Sequence, residues 1–202
     1  LPHLSARLIA LDGHPVTPRE IDTLILGPAQ RADVVIDGRV DGEARASLLL
    51  DPGNGEWVEI AGFIHSGDTL PSRGTDVRPL PAWGTLPVPD LSDPQRETLL
   101  MEGGAMRGML ETRFGGETMG FRELAANGMV WAFNGAANEM DKPMFQAALG
   151  RTVQLKMSNL SVFPHAIHLH GHDFTVLSKS GAANIEGDVR DTVLIGADET
   201  VE

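Results

Sequence analysis

Phe163-Pro164-His165-Ala166-Ile167-His168-Leu169-His170-Gly171-His172 holds four of the chain's seven histidines in eight residues. Isolated structural histidines do not cluster in this way. Neutral imidazole is a common protein ligand for copper, zinc and iron. Within a chain of short strands and turns, the stretch is read as an extended β-strand. In such a chain His168 and His170 share a face, roughly 6–7 Å apart along the backbone. Two rings at that spacing suit two adjacent metal ions or one clamped ion. His165 has the opposite parity and points to a different site, so one strand would serve two metal centres. The competing reading is a solvated His-rich tract. Phe163, Ile167, Leu169 and Phe174 oppose it, because apolar flanks predict that most of the segment is buried. His172 has the right parity but lies one step further on. His3, His14 and His65 stand alone and read as surface or loop residues.

Outward from this stretch, the chain reads as short strands broken by turns. Its 202 residues include 23 glycines and 13 prolines, too many breakers for a helical bundle. Arg7 to Leu11 is followed by the turn Asp12-Gly13. Ile21 to Leu26, Ala32 to Ile36, Ala46 to Leu50 and Trp57 to Ile64 are further strand candidates. Asp37-Gly38, Asp41-Gly42 and Asp51-Pro52-Gly53-Asn54-Gly55 are turn signals. Six prolines between Pro71 and Pro94 mark residues 66–95 as an extended linker. Beyond it lie Thr98 to Met101, Met129 to Phe133 (ended by Asn134-Gly135), Thr152 to Met157, Phe174 to Leu177, Thr192 to Ile195, and a strand starting at Glu199. Lys142 to Leu149, closed by Gly150, is the one predicted helix.

The composition sets limits on function. Asp and Glu outnumber Lys and Arg 28 to 16, a formal charge of −12. That disfavours a nucleic-acid backbone or an anionic membrane as partner. No apolar run approaches the length of a membrane span. The chain has no cysteine, so it supplies no disulfide, thiolate ligand or thiol nucleophile. Gly103-Gly104 and Gly115-Gly116 lack the Gly-Lys-Ser/Thr of a phosphate loop. No Gly-x-Ser-x-Gly is present.

The segment His165-Ala166-Ile167-His168-Leu169-His170-Gly171 resembles the His-x-x-His-x-His-Gly motif in the last cupredoxin domain of multicopper oxidases, the laccase-like family. Val130-Trp131-Ala132-Phe133-Asn134-Gly135, Met140-Asp141-Lys142-Pro143-Met144-Phe145 and Arg190-Asp191-Thr192-Val193 resemble other parts of that domain. Ala10-Leu11-Asp12-Gly13 and Gly27-Pro28-Ala29-Gln30-Arg31-Ala32-Asp33 resemble elements of the middle domain. The resemblance implies an all-β chain of cupredoxin-like Greek-key β-sandwich domains, both incomplete here. Residues 1–65 would be the C-terminal part of the middle domain, 66–95 a linker, and 96–202 most of the last domain.

By the same resemblance, His165 binds the type 1 copper, His168 the type 2 copper and His170 one of the paired type 3 coppers. The implied reaction couples one-electron oxidation of a small reducing substrate, phenol-like or a metal ion, to reduction of O2 to water. Family members usually have Pro directly after the first ligand; here Pro164 precedes it and Ala166 follows. The family also uses histidine pairs from its first domain and a C-terminal His-Cys-His segment, neither of which this sequence contains. The chain is therefore expected to be an internal fragment, inactive without those segments and aggregation-prone alone. Relatives act mostly in the periplasm or outside the cell.

Met101, Glu102, Met106 and Met109 sit where cuprous-oxidase relatives bind substrate copper, but thioethers are more often core fillers. Those relatives carry an acid and a Met just before the first ligand, where this chain has Ser161 and Phe163. Asp191 is a candidate proton acceptor or ligand-orienting group, with pairing to Arg190 as its structural role. Trp57, Trp83 and Trp131 read as core or linker anchors. The alternatives are a cuprous oxidase in copper tolerance, a non-catalytic cupredoxin-fold scaffold, or another β-sandwich metalloprotein such as a cupin, a two-domain laccase or a nitrite reductase. A cupin is disfavoured because Asp173 has the wrong spacing and no histidine follows His172.

Overall fold

The computed structural model describes residues 4–38, 44–65, 76–81, 87–104, 106, 111–181 and 185–202. His3, Trp83, Met109 and the Asp41-Gly42 turn lie outside them, and the side chain of His65 is not described. The chain divides into two compact units, Leu1–Leu26 with Arg31–Trp83, and Gly27–Gln30 with Gly84–Glu202.

In the first unit, β1 (Leu4–Leu11), β2 (His14–Glu20) and β3 (Ala32–Gly38) form a three-stranded antiparallel sheet in the order β2-β1-β3. Asp12-Gly13 makes the hairpin turn, with φ of 50° and 86° at the two residues. Both lie in the left-handed region, as a two-residue turn matched to strand twist requires. Asp12 is clasped by Arg31: its Oδ1 accepts from the Arg31 backbone N–H at 2.9 Å, and its carbonyl accepts from the guanidinium at 2.9 Å. β4 (Ala44–Leu50) and β5 (Val58–His65) form a separate hairpin. Leu48, Leu49, Leu50, Trp57, Val58, Ile60 and Ile64 on or beside it are exposed, so Trp57 is not a core anchor. The strand expected over Ile21 to Leu26 does not form. Ile21 and Leu24 fold onto the Leu8, Leu11 and Val16 cluster while Ile25 is exposed. That spacing is not the two-residue period of a strand.

The second unit begins its regular structure at β6 (Gln95–Gly103). The hairpin of β7 (Thr112–Phe114) and β8 (Glu117–Met119) leads to α1 (Phe121–Ala126), whose Leu124 is fully buried. β9 (Trp131–Phe133) and β10 (Val153–Asn159) flank β6, and β10 runs parallel to it. β11 (His165–His168), β12 (Phe174–Thr175), β13 (Val189–Arg190), β14 (Thr192–Ile195) and β15 (Thr200–Val201) complete the element order. The larger sheet has the order β15-β10-β6-β9, and β11-β14 and β12-β13 are two-stranded ribbons. Leu99, Met101, Met157 and Val201 from the sheet pack with Val193 and Ile195 of β14, Val176, and Ile167 of β11. One ribbon face therefore caps the sheet, giving a cupredoxin-type β-sandwich.

The helix expected over Lys142 to Leu149 is absent; that stretch runs as turns and coil. Leu149 is fully exposed and Met144 half-exposed, so it has no apolar face to bury. Two helical turns without tertiary packing are not stable in water. A backbone carbonyl there, that of Gln146, instead accepts from the Gln95 side chain at 3.0 Å.

Candidate metal-binding ribbon

The register of β11 and β14 decides where each imidazole lies. His165 pairs with Ile195, Ala166 with Leu194, Ile167 with Val193 and His168 with Thr192. Ile167, Val193 and Ile195 belong to the core, which turns Ala166, His168, Thr192 and Leu194 to the outer face. The strand ends at His168, and His170 sits in the turn that follows. The two rings nonetheless meet, with centroids 5.7 Å apart and planes at 88°.

His168 is held by β14. Its Nδ1 lies 3.0 Å from the Asp191 carbonyl oxygen and 3.1 Å from Thr192 Oγ1. A carbonyl oxygen only accepts, so the proton is assigned to Nδ1 and the lone pair to Nε2. The Thr192 hydroxyl donates to Asp191 Oδ1 at 2.7 Å, leaving its oxygen to accept from the ring. Asp191 also approaches His168 Nδ1 through Oδ1 at 3.7 Å. Arg190 bonds Asp188 at 3.0 Å, and Asp191 serves Thr192 and His168.

His165 has different neighbours. Its ring meets Trp131 edge-on with centroids 4.7 Å apart, and Trp131 meets Phe163 edge-on at 5.7 Å. Its Nε2 lies 2.9 Å from Ser161 Oγ. The single Ser161 hydrogen is directed to Asn159 Oδ1 at 2.8 Å or the Phe163 carbonyl at 3.0 Å. With that hydrogen so placed, Ser161 accepts from His165 Nε2–H, and the lone pair is assigned to Nδ1. Asn159 anchors the group: its Nδ2 serves the carbonyls of Phe163, Ile195 and Gly196, and its Oδ1 also accepts from Ser161 N–H. Asn159 and Ser161 are both fully buried. Desolvation lowers the His165 pKa from its ordinary value, which favours the neutral ring a metal needs.

The ribbon is less buried than its apolar flanks predicted. Ile167, Leu169 and Phe174 are half-buried, whereas Phe163 is exposed, as are His168, His170 and His172. Trp131 is not a core anchor; it is partly exposed beside His165. Gly103 and Gly104 shape this corner. A Cβ on Gly103 would lie 2.2 Å from the Val130 carbonyl oxygen, and one on Gly104 3.0 Å from the Phe163 and Trp131 rings. Sequence reasoning missed Asn159, Ser161, Thr192 and Trp131 because their roles are contacts, not patterns. Of the methionine candidates, Met101 fills the core and Met106 is exposed, while Glu102 accepts from the Gly135 N–H at 3.0 Å. His14 opens β2 and is half-buried.

Residues 117–202 match the family model described as multicopper oxidase. Over 194 residues the chain is 26% identical to multicopper oxidase MmcO of Mycobacterium tuberculosis, covering 91% of this chain and 33% of that protein. Over 212 residues it is 26% identical to a laccase of Neurospora crassa, covering 87% and 32% respectively. The crystal structure of a multi-copper oxidase from Pseudomonas thermotolerans superposes with a TM-score of 0.70 at 26% identity, covering 98% of this chain and 43% of that one. Along most of its length the chain is thus similar to multicopper oxidases, and its C-terminal part matches the model of that family.

It spans about a third of the length of the curated relatives it matches. The family implies copper, and the donor chemistry here fits it. Each of two imidazoles has one nitrogen satisfied by the protein and a lone pair on the other, the arrangement of metal-ligating histidine. Among the described residues no group of three or more His, Cys, Asp or Glu side chains is close enough to hold a metal. No helix of the described residues is long and apolar enough to cross a membrane.

Proposed function

We propose that this chain is part of a copper-dependent oxidase that couples oxidation of a small reducing substrate to reduction of O2 to water. Residues 1–65 would form the end of a middle cupredoxin-like domain, 66–95 a linker, and 96–202 most of the last domain. His165 would ligate the type 1 copper, His168 the type 2 copper and His170 one type 3 copper. The observation that carries this reading is that the two rings engage the protein through opposite nitrogens, which assigns them opposite tautomers. His165 has its lone pair on Nδ1 and His168 on Nε2, because Ser161 and Asp191 engage the other nitrogens. Two imidazoles three residues apart on one strand then serve two different centres.

Bound copper would supply one-electron transfer at the type 1 centre and O2 reduction at the type 2 and type 3 centres. Four one-electron oxidations of substrate balance one O2 and four protons going to two waters. The chain's own residues do the positioning. Asn159 and Ser161 fix the His165 ring, and Trp131, itself in contact with Phe163, packs against it. Asp191 and Thr192 fix His168, which holds His170 in ring contact. With no cysteine in the chain, the type 1 thiolate and the other ligands would come from polypeptide outside these 202 residues. These residues alone would then be inactive. Reducing substrates of the phenol class fit the exposed aromatic corner at Trp131 and Phe163. The core position of Met101 and the Glu102–Gly135 hydrogen bond disfavour a cuprous-oxidase site there. Export to the periplasm or the exterior is the matching location.

The test is spectroscopic, on the full-length copper-loaded protein. His165→Ala removes the intense visible absorption of the type 1 centre and leaves the type 2 electron paramagnetic resonance (EPR) signal. His168→Ala does the reverse. Retention of both signals in both variants rejects the assignment. A wild-type protein that retains no copper supports the scaffold alternative.

A further inference from the structure

The edge of β14 that faces away from β11 shows how His168 is held in place. Leu169 N–H donates to the Asp191 carbonyl at 3.1 Å. Hydrogen-bonded and non-hydrogen-bonded pairs alternate along an antiparallel ribbon. The adjacent pair, His168 with Thr192, is therefore non-hydrogen-bonded, and the Thr192 carbonyl points out of the ribbon. A side chain meets it there: Gln30 Nε2 donates to Thr192 O at 3.0 Å. The next outward carbonyl, that of Leu194, accepts from Lys179 Nζ at 2.8 Å.

Gln30 is itself locked. Its Oε1 accepts from Gly27 N–H at 2.8 Å, and its own N–H donates to the Gly27 carbonyl at 3.2 Å. Gly27-Pro28-Ala29-Gln30 is thus a tight turn with proline second and Ala29 third at φ 68°. That third position in a turn with proline second ordinarily takes glycine. An alanine held in the left-handed region is strained, and strain persists where the surroundings over-determine it. Gly27 lies directly on the outer face of the ribbon: a Cβ there would meet Leu194 Cδ1 at 3.0 Å and Ala166 Cβ at 3.2 Å. Although Arg31 belongs to the first unit, Gly27–Gln30 belongs to the second.

We infer that Gln30 is a positioning residue for the His168 imidazole, acting through Thr192. Thr192 is fully buried, and its Oγ1 accepts from His168 Nδ1–H while donating to Asp191. Fixing the Thr192 carbonyl fixes the backbone from which that hydroxyl reaches the ring. The Gln30 amide does both jobs at once, holding the turn with its oxygen and the ribbon with its nitrogen. This inference rests on His168 being a copper ligand.

The experiment compares wild type, Gln30→Glu, Gln30→Ala, Thr192→Val and Thr192→Ser in the full-length copper-loaded protein. Gln30→Glu keeps the acceptor for Gly27 N–H but presents an oxygen to the Thr192 carbonyl. It shifts the copper hyperfine splitting of the type 2 EPR signal. It also speeds loss of that copper to a chelator by about tenfold, the low end of what removing a ligand's supporting hydrogen bonds costs. The type 1 absorption stays unchanged. Gln30→Ala and Thr192→Val give the same shift, and Thr192→Ser, which keeps the hydroxyl, restores the wild-type spectrum. An unchanged type 2 signal in both Gln30 variants overturns the inference. So does a parallel loss of type 1 and type 2 signals, which marks general loosening. A wild-type protein with no type 2 signal instead rejects the ligand assignment itself.

Discussion

His165 and His168 share one short strand, three positions apart, yet they are held by different physics. His165 is tied to a buried polar cluster, Asn159 and Ser161, whose hydrogen bonds have few alternatives in a dry setting. His168 lies on the outer ribbon face and is tied to the partner strand through Asp191 and Thr192. The first arrangement frees Nδ1 and the second frees Nε2. A motif of identical residues therefore presents two different donors, and the selection is made by the layer behind the ring.

The comparison can be strained from both sides. The largest effect belongs to Gly103→Ala, at the His165 corner. Its Cβ would overlap the Val130 carbonyl oxygen, and φ of 110° is unfavourable for alanine. We expect a loss of about 4 kcal/mol in urea unfolding of the second unit. Next comes Asn159→Ala, which orphans Ser161 and the carbonyls of Phe163, Ile195 and Gly196 together. About 3 kcal/mol of stability should go with it.

Ser161→Ala is milder, at about 2 kcal/mol, because one hydroxyl is removed from the cluster. Its sharper readout is nitrogen NMR of the metal-free protein: His165 should become a mixture of tautomers while His168 keeps its proton on Nδ1. If both rings change together, the two environments are not independent. The smallest effect falls on the outer face. Gly27→Ala presses a methyl against Leu194 and Ala166, costs about 1 kcal/mol by thermal unfolding, and leaves the His165 tautomer alone.

The β-class and the ligand candidates were readable from the chain itself. Turn chemistry fixed the Asp12-Gly13 and Asn134-Gly135 corners, where two successive positive φ angles are needed. The spacing of His168 and His170 put two imidazoles side by side, as their ring contact has it, and set His165 apart at the opposite parity. Local pattern failed where packing decides. Lys142 to Leu149 looks helical by composition but finds no surface to bury against. Ile21 to Leu26 looks like a strand, but Ile21 and Leu24 are used by an irregular fold-back onto the Leu8 cluster.

What the sequence determined alone is a period and a donor type, since both are properties of neighbouring residues along one strand. Which nitrogen each donor offers was decided by tertiary structure. Residues as remote as Gln30 and Thr192 meet only when the ribbon closes. A hydrogen bond depends on distances in space that no local spacing encodes, so the ligand motif could be read in advance and its support could not.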